Sequence, residues 1–152
     1  MKIKILEEKF DPWQEIVEYK RNELQNNAKI GASSIFLGTM RDFNDDEIVD
    51  SLYLEHYPEM TEKYLTNIVQ DAIKKHKIFG GLVVHRVGEL MPTDPIVVVA
   101  TWSEHRESAF EATREIMESL KSEAPFWKKE NTEKGFRWVE PSKQTQSENV
   151  ES

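Results

Sequence analysis

A chain of 152 residues that is 38% hydrophobic and 32% charged can bury one core; its mean hydropathy of −0.64 is on the polar side, and no window approaches the apolar length that crosses a membrane. A formal net charge of −8 and a pI near 5.1 exclude nonspecific nucleic-acid binding, which needs a basic footprint, yet permit a local cationic pocket. There is no cysteine, so disulfides, thiolate metal sites and a protein thiol as nucleophile or sulfur carrier are excluded; any sulfur chemistry must use sulfur carried in by a partner or substrate.

KIKIL (2–6) alternates and predicts a short strand. MKIKILEEKF has too short an apolar part, followed by too many acids, for a secretory signal, which makes the cytoplasm the expected location. Asp11 as N-cap, Pro12 in the first turn and Gln14 as capping-box partner predict a helix to about Leu24. GASSIFLGTM (31–40) reads as a strand, RDFNDDE (41–47) as a polar loop and VDSLYLEHY (49–57) as an alternating strand. Pro58 opens a second helix with an apolar stripe of Met60, Tyr64, Leu65, Ile68, Val69, Ala72 and Ile73, ended by Gly80 and Gly81. LVVHRVGEL (82–90) predicts a strand, MPTDP (91–95) a turn, and IVVVATW (96–102) a central strand buried on both faces. Ser103 caps a third helix that turns Ala109, Phe110, Thr113, Ile116, Met117 and Leu120 to the core and stops at Pro125. FWKKE and FRWVE (136–140) form a closing strand pair around Glu133, Lys134 and Gly135. The pattern describes one α+β domain over 1–141, with a polar tail over 142–152 that is expected to fray.

Ser103-Glu104-His105-Arg106 carries a local conflict. A helix N-terminus prefers anionic side chains, yet here its first turn holds an arginine and a histidine. A solvated surface tolerates that arrangement; alternatively, His105, Arg106 and the helix end together bind a phosphate or carboxylate. Lys121 at the other end of the helix is electrostatically favoured, but it belongs with Lys128 and Lys129 around the aromatic pair Phe126 and Trp127, and an apolar wall can shift a lysine toward acid–base chemistry. The pattern alone favours surface lysines. Arg41 at a strand end is weak evidence by itself, and His56 and His85 read as hydrogen-bonded structural residues. No zinc spacing, GxxxxGK[ST] or GxGxxG is present, so no metal is expected and nucleotide chemistry has no support.

From about Ile30 to Glu140 the sequence resembles the large, catalytic subunits of molybdopterin synthase. The resemblance rests on GASSIFLGTMRD (31–42), LEHYPEM (54–60), VVHRVGEL (83–90), SEHRESAFEA (103–112), LKSEAPFWKKE (120–130) and RWVE (137–140), in the family's order and spacing. It implies an α/β-hammerhead fold and a sulfurtransferase that converts cyclic pyranopterin monophosphate into the dithiolene of molybdopterin. The sulfur would arrive as a thiocarboxylate on the C-terminal Gly-Gly of a small ubiquitin-like subunit, within a heterotetramer built on a homodimer of large subunits. No bound cofactor is implied. By motif, Lys121 and Lys128 are the expected catalytic residues, with Lys121 nearest the glycine thiocarboxylate and Lys128 polarising the substrate. Arg41, His105 and Arg106 would hold the phosphate, while Phe36 and Met117 shape the pocket. Relatives often carry an arginine shortly after WVE; here Lys143 can replace its charge but not its bidentate geometry.

His105 and Lys121 are sixteen residues apart, roughly 24 Å along a helix at about 1.5 Å per residue. One straight helix cannot bring both to the same small molecule, so a shared site is expected, with His105 and Arg106 supplied by a second copy. Two further readings remain at this level. A non-catalytic adaptor would bind the Gly-Gly tail without chemistry, and a stand-alone phosphate-ester enzyme would work without any partner.

Overall fold

The structure is a computed structural model and describes residues 1–139. The tail at 142–152, with Lys143, lies outside the described residues. In chain order the elements are β1 (Lys2–Leu6), α1 (Pro12–Tyr19) continued by a π-helical segment (Lys20–Leu24), β2 (Ala32–Thr39), β3 (Phe43–Asn44), β4 (Glu47–His56) and α2 (Pro58–His76). Then follow β5 (Gly80–Arg86), β6 (Gly88–Leu90), β7 (Pro95–Ser103), α3 (Arg106–Glu123), β8 (Phe126–Thr132) and β9 (Gly135–Val139). The sheets are mostly antiparallel, as in an α+β fold.

The first sheet has the order β1-β5-β7-β2 and is antiparallel except at one edge, where β1 runs parallel to β5. Alternation along its central strands sorts side chains into two cores. Val98, Ala100 and Trp102 pack with Ile16 and Tyr19 of α1, whereas Val97 and Val99 pack beneath Leu65 and Val69 of α2 and Ile116 and Leu120 of α3. Helices on both faces thus explain the unbroken apolar run of β7. Truncating a fully buried side chain such as Leu65 to alanine costs about 2–5 kcal/mol.

The second sheet has the order β3-β4-β8-β9, and β6 pairs with β4 along the edge opposite β8. Its small core is Met40, Val49, Leu52, Leu54 and Leu90. The expected strand over 82–90 divides at Val87, because Gly88 takes a φ of +84° and sends β6 from the first sheet to the second. Asp45 and Asp46 adopt left-handed φ values of 52° and 62°, so the expected loop over 41–47 is a tight hairpin.

Helix ends follow the sequence in part. The Asp11 carboxylate accepts from the N–H groups of Trp13 and Gln14 at 3.0 and 3.3 Å, but the Gln14 side chain donates to Glu18 instead of closing a capping box. α2 stops at a left-handed Lys77 (φ 52°), and Gly80 and Gly81 begin β5 instead of ending the helix. Ser103 is the last residue of β7, its hydroxyl donates to the carbonyl of His105, and His105 itself occupies the N-cap position of α3. Met60 and Phe110 are 61% and 60% exposed. Their expected core positions are filled by Thr61, whose hydroxyl is satisfied by the Tyr57 carbonyl at 2.9 Å, and by Ala112.

Candidate active site

Lys121 sits in the last turn of α3, where the helix C-terminus favours a cation. Ala124 then turns to extended backbone at ψ 139°, Pro125 follows, and β8 carries Lys128 back beside it. Lys128 is half-buried. Burial holds its ammonium below the ordinary lysine range; the charges of Lys121 and Arg41 push the same way, and Glu130 opposes them. These couplings bring three of the expected residues, Lys121, Lys128 and Arg41, into one cationic cluster within a single copy of the chain. The Arg41 guanidinium lies over the Phe43 ring, 4.9 Å from its centroid.

Met117 precedes Lys121 by one helical turn, so both lie on the same side of α3. Phe36 pairs in register with Val99, on the sheet face that α3 covers, and remains exposed because β2 is the sheet's edge. Gly38 leaves room for its ring; a Cβ there would come within 3.3 Å of the Phe36 ring edge.

Behind Lys128 stands a stack that the sequence did not reveal as a unit. Phe126, two residues earlier on β8, stacks on His85 at 4.1 Å with planes 13° apart, and His56 lies on the same phenyl ring at 6.2 Å. Both histidines are hydrogen-bonded, as expected of structural residues: His85 Nδ1 to the Arg86 carbonyl at 2.7 Å, and His56 Nδ1 to the Thr61 hydroxyl at 3.3 Å. Burial lowers the His85 pKa to about 4, and the nearby Lys128 and His56 add to the shift. The ring is therefore neutral near pH 7 and adds no charge to the lysine cluster. Glu130 is pinned by Arg137 at 3.0 Å and by the Asn44 amide at 3.1 Å, tying β8 to β9 and to the β3 hairpin.

His105 and Arg106 are elsewhere. They stand at the opposite end of α3, the His105 side chain is 80% exposed, and its closest ionic neighbour is Glu104 at 3.6 Å. The His105 side chain makes no cap hydrogen bond at this helix start. Gly31 packs against the same turn: its N–H donates to the Ser103 carbonyl at 2.9 Å, and any Cβ at position 31 would collide with the Glu104 carbonyl. Two grooves open away from Lys121, one of about 760 Å³ between the π-helical segment and β2, the other of about 370 Å³ on the outer face of β4, β8 and β9. Neither is lined by Lys121, Lys128 or Arg41. Among the described residues, no group of three or more His, Asp or Glu side chains is placed to hold a metal ion.

The fold is that of an α+β protein in which Lys121, Lys128 and Arg41 form a local cationic cluster on a chain of net charge −8. Residues 6–123 match the MoaE protein family, and the chain belongs to it. It is 50% identical over 138 residues to the molybdopterin synthase catalytic subunit of Ralstonia nicotianae, covering 91% of this chain and 76% of that one. Against the Pseudomonas aeruginosa molybdopterin synthase catalytic subunit the identity is 45%, over 92% and 91% of the two chains. The crystal structure of molybdopterin synthase from Staphylococcus aureus superposes with a TM-score of 0.80 at 31% identity, covering 92% of this chain and 98% of that one. The first two are catalytic subunits of molybdopterin synthase, an enzyme of molybdenum cofactor biosynthesis, and the third is a structure of that synthase. The family match stops at Glu123, short of Lys128, but the full-length relatives extend over most of the chain.

Proposed function

We propose that this chain is the sulfur-transferring subunit of a molybdopterin synthase, acting on cyclic pyranopterin monophosphate with sulfur delivered as the C-terminal thiocarboxylate of a small ubiquitin-like partner. The observation that carries the reading is the convergence of Lys121, Lys128 and Arg41, with Lys128 held below the normal lysine range by burial and by its cationic neighbours. Such a lysine exchanges a proton more readily than an exposed one, and a neighbouring fixed cation can stabilise an oxyanion.

In this mechanism the thiocarboxylate sulfur bonds to a substrate carbon as a carbon–oxygen bond at that carbon breaks and the oxygen leaves with a proton, and water then cleaves the acyl–sulfur bond. The partner's tail leaves as a carboxylate and the sulfur stays on the substrate. Lys121 stabilises the oxyanion formed on the tail carbonyl during hydrolysis. Lys128 polarises the substrate and moves the proton. Each tail carries one sulfur, so the dithiolene consumes two. Arg41 holds the phosphate, and Phe36 and Met117 shape the apolar wall. A cysteine-free chain suits this chemistry, because the enzyme keeps no sulfur of its own. The reaction is placed in the cytoplasm, and the domain that performs it extends over 1–141.

His105 and Arg106 enter the site from a second copy. α3 packs over β7 and β2, and β2 is a sheet edge with Ile35 and Phe36 exposed along it. A twofold that sets two β2 edges antiparallel turns the helix start of one copy toward the Arg41 end of the other. That arrangement answers the roughly 24 Å separation along α3.

Reconstitution tests the proposal: the chain, a thiocarboxylated small subunit and the pyranopterin precursor are combined, and the dithiolene product is oxidised and measured by fluorescence. Product is expected only when both the partner and Lys121 are present. Turnover without the partner would point to a stand-alone phosphate-ester enzyme, and partner binding without product to an adaptor.

A further inference from the structure

The backbone just before Arg41 is fastened by a turn that the mechanism above does not use. The Met40 N–H donates to the Asp94 carbonyl at 2.9 Å, and the Met40 carbonyl accepts from the Thr93 N–H at 2.8 Å. Both backbone groups of Met40 are thus held by the turn between β6 and β7, while its side chain is buried among Val49, Leu52, Leu54 and Leu90. The β2–β7 register shifts between Gly38 and Thr39, so regular strand pairing no longer directs the chain where Arg41 begins.

The turn is organised around the Asp94 carboxylate, which is only 7% exposed. Oδ2 accepts from the Met91 N–H at 3.0 Å and faces Arg86 Nη1 at 3.4 Å, while Oδ1 pairs with Lys9 Nζ at 3.0 Å. Arg86, 8% exposed, also donates from Nη2 to the Glu89 carbonyl at 2.7 Å, and its buried Nε has no hydrogen-bond partner among the described residues. Thr93 takes a φ of +76°, in a region that β-branched residues avoid. A buried guanidinium with an unused donor and a strained threonine both cost free energy that a plain strand connection does not require. What this turn accomplishes is the clamping of Met40.

We propose that Asp94, held by Arg86 and Lys9, is a positioning residue that sets the direction of the Arg41 guanidinium through Met40. The consequence for turnover rests on the reading of Arg41 as a phosphate ligand; the positioning itself does not. Asp94→Asn keeps the side-chain volume and an oxygen for the Met91 N–H, but removes the charge that faces Arg86 and Lys9. Its effect is read first by NMR, on the Arg41 Nε–Hε resonance of the isotopically labelled chain, assigned by its loss in Arg41→Lys. Because the guanidinium lies over the Phe43 ring, Asp94→Asn should relieve the ring-current shift of that signal while the exposed Arg114 signal stays in place.

In the reconstituted synthase, Asp94→Asn should raise the KM for the phosphate-bearing substrate about tenfold and change kcat less than about twofold. In an Arg41→Ala background it should add nothing. Asp94→Glu should recover part of the loss. Should Asp94→Asn fail to fold, Lys9→Ala removes the exposed end of the same pair and should move the Arg41 resonance less, in the same direction. An unmoved Arg41 signal, or an equal KM penalty with and without Arg41, overturns the proposal. A displaced signal with a KM indifferent to Arg41→Ala upholds the positioning and removes the phosphate role of Arg41.

Discussion

The two ends of α3 hold cations in opposite settings. At its C-terminus Lys121 lies where the helix field favours a positive charge, beside Lys128 and backed by the Phe126–His85 stack. At its N-terminus Arg106 stands where the same field opposes a cation, next to an exposed His105 whose side chain makes no cap hydrogen bond. One end is therefore built within the copy that contains it, whereas the other is exposed among the described residues. An exposed cation at a disfavoured helix end suits the proposed role of Arg106 toward a second copy.

Several measurements would break or sharpen this contrast. The largest effect is expected at the built end: Lys121→Ala or Lys128→Ala should lower kcat by about 10²–10³-fold, as loss of a preorganised cation or donor does. Mixing Lys121→Ala with Arg106→Ala chains should then restore activity, because each mixed dimer regains one site with both residues intact; random reassociation gives about a quarter of the wild-type sites. No recovery in verified mixed dimers would mean that the two ends never meet in one site.

The next effect concerns stability. His85 has a folded pKa of about 4 against an ordinary 6.5. The unfolded chain therefore binds a proton that the folded chain refuses, and stability falls as pH drops from 6.5 toward 4. The full loss is on the order of 3 kcal/mol. Urea unfolding across this range should show it, and His85→Phe should flatten that limb. A flat profile in the wild type would show that the stack does not keep the imidazole neutral.

Smaller shifts are expected from single charges. Lys121→Met removes a like charge beside Lys128 and should raise the Lys128 pKa in an NMR titration; a lower value would contradict the cluster. Arg106→Ala should stabilise the isolated chain by about 0.3–1 kcal/mol, since it removes a cation from a helix N-terminus, while weakening substrate binding in the assembled enzyme. A loss of stability instead would make Arg106 a structural residue and dissolve the contrast between the two ends.

The strands and helices were legible because their apolar spacing differs, and β7 was recognisable as a two-sided strand from its composition alone. Met60 and Phe110 were misplaced because a helical stripe is about 100° wide, and a residue at its margin can face either way. Thr61 and Ala112 are buried in their place. The π-helical continuation after Tyr19 and the hairpin at Asp45 and Asp46 had no residue signature such as an Asn-Gly pair. For the proposed site, Lys121, Lys128, Arg41, Phe36 and Met117 were nominated through motif resemblance alone, since their local patterns also fit an ordinary surface. The His85–Phe126 stack and the Asp94 clamp were not legible. Each joins residues from separate elements, and local periodicity does not encode such contacts.

The exposed rim of β2 and the lack of any sulfhydryl in the chain have a practical consequence together. A cysteine placed at Ile35 would be the chain's sole thiol, so oxidative cross-linking could report how two copies meet without background from other positions. Under the proposed reaction, a thiol-selective reagent added during turnover would find no thiol on this chain, and its label would report sulfur on the carrier or on the product. The protein is in effect a transparent vessel for the atom it would transfer.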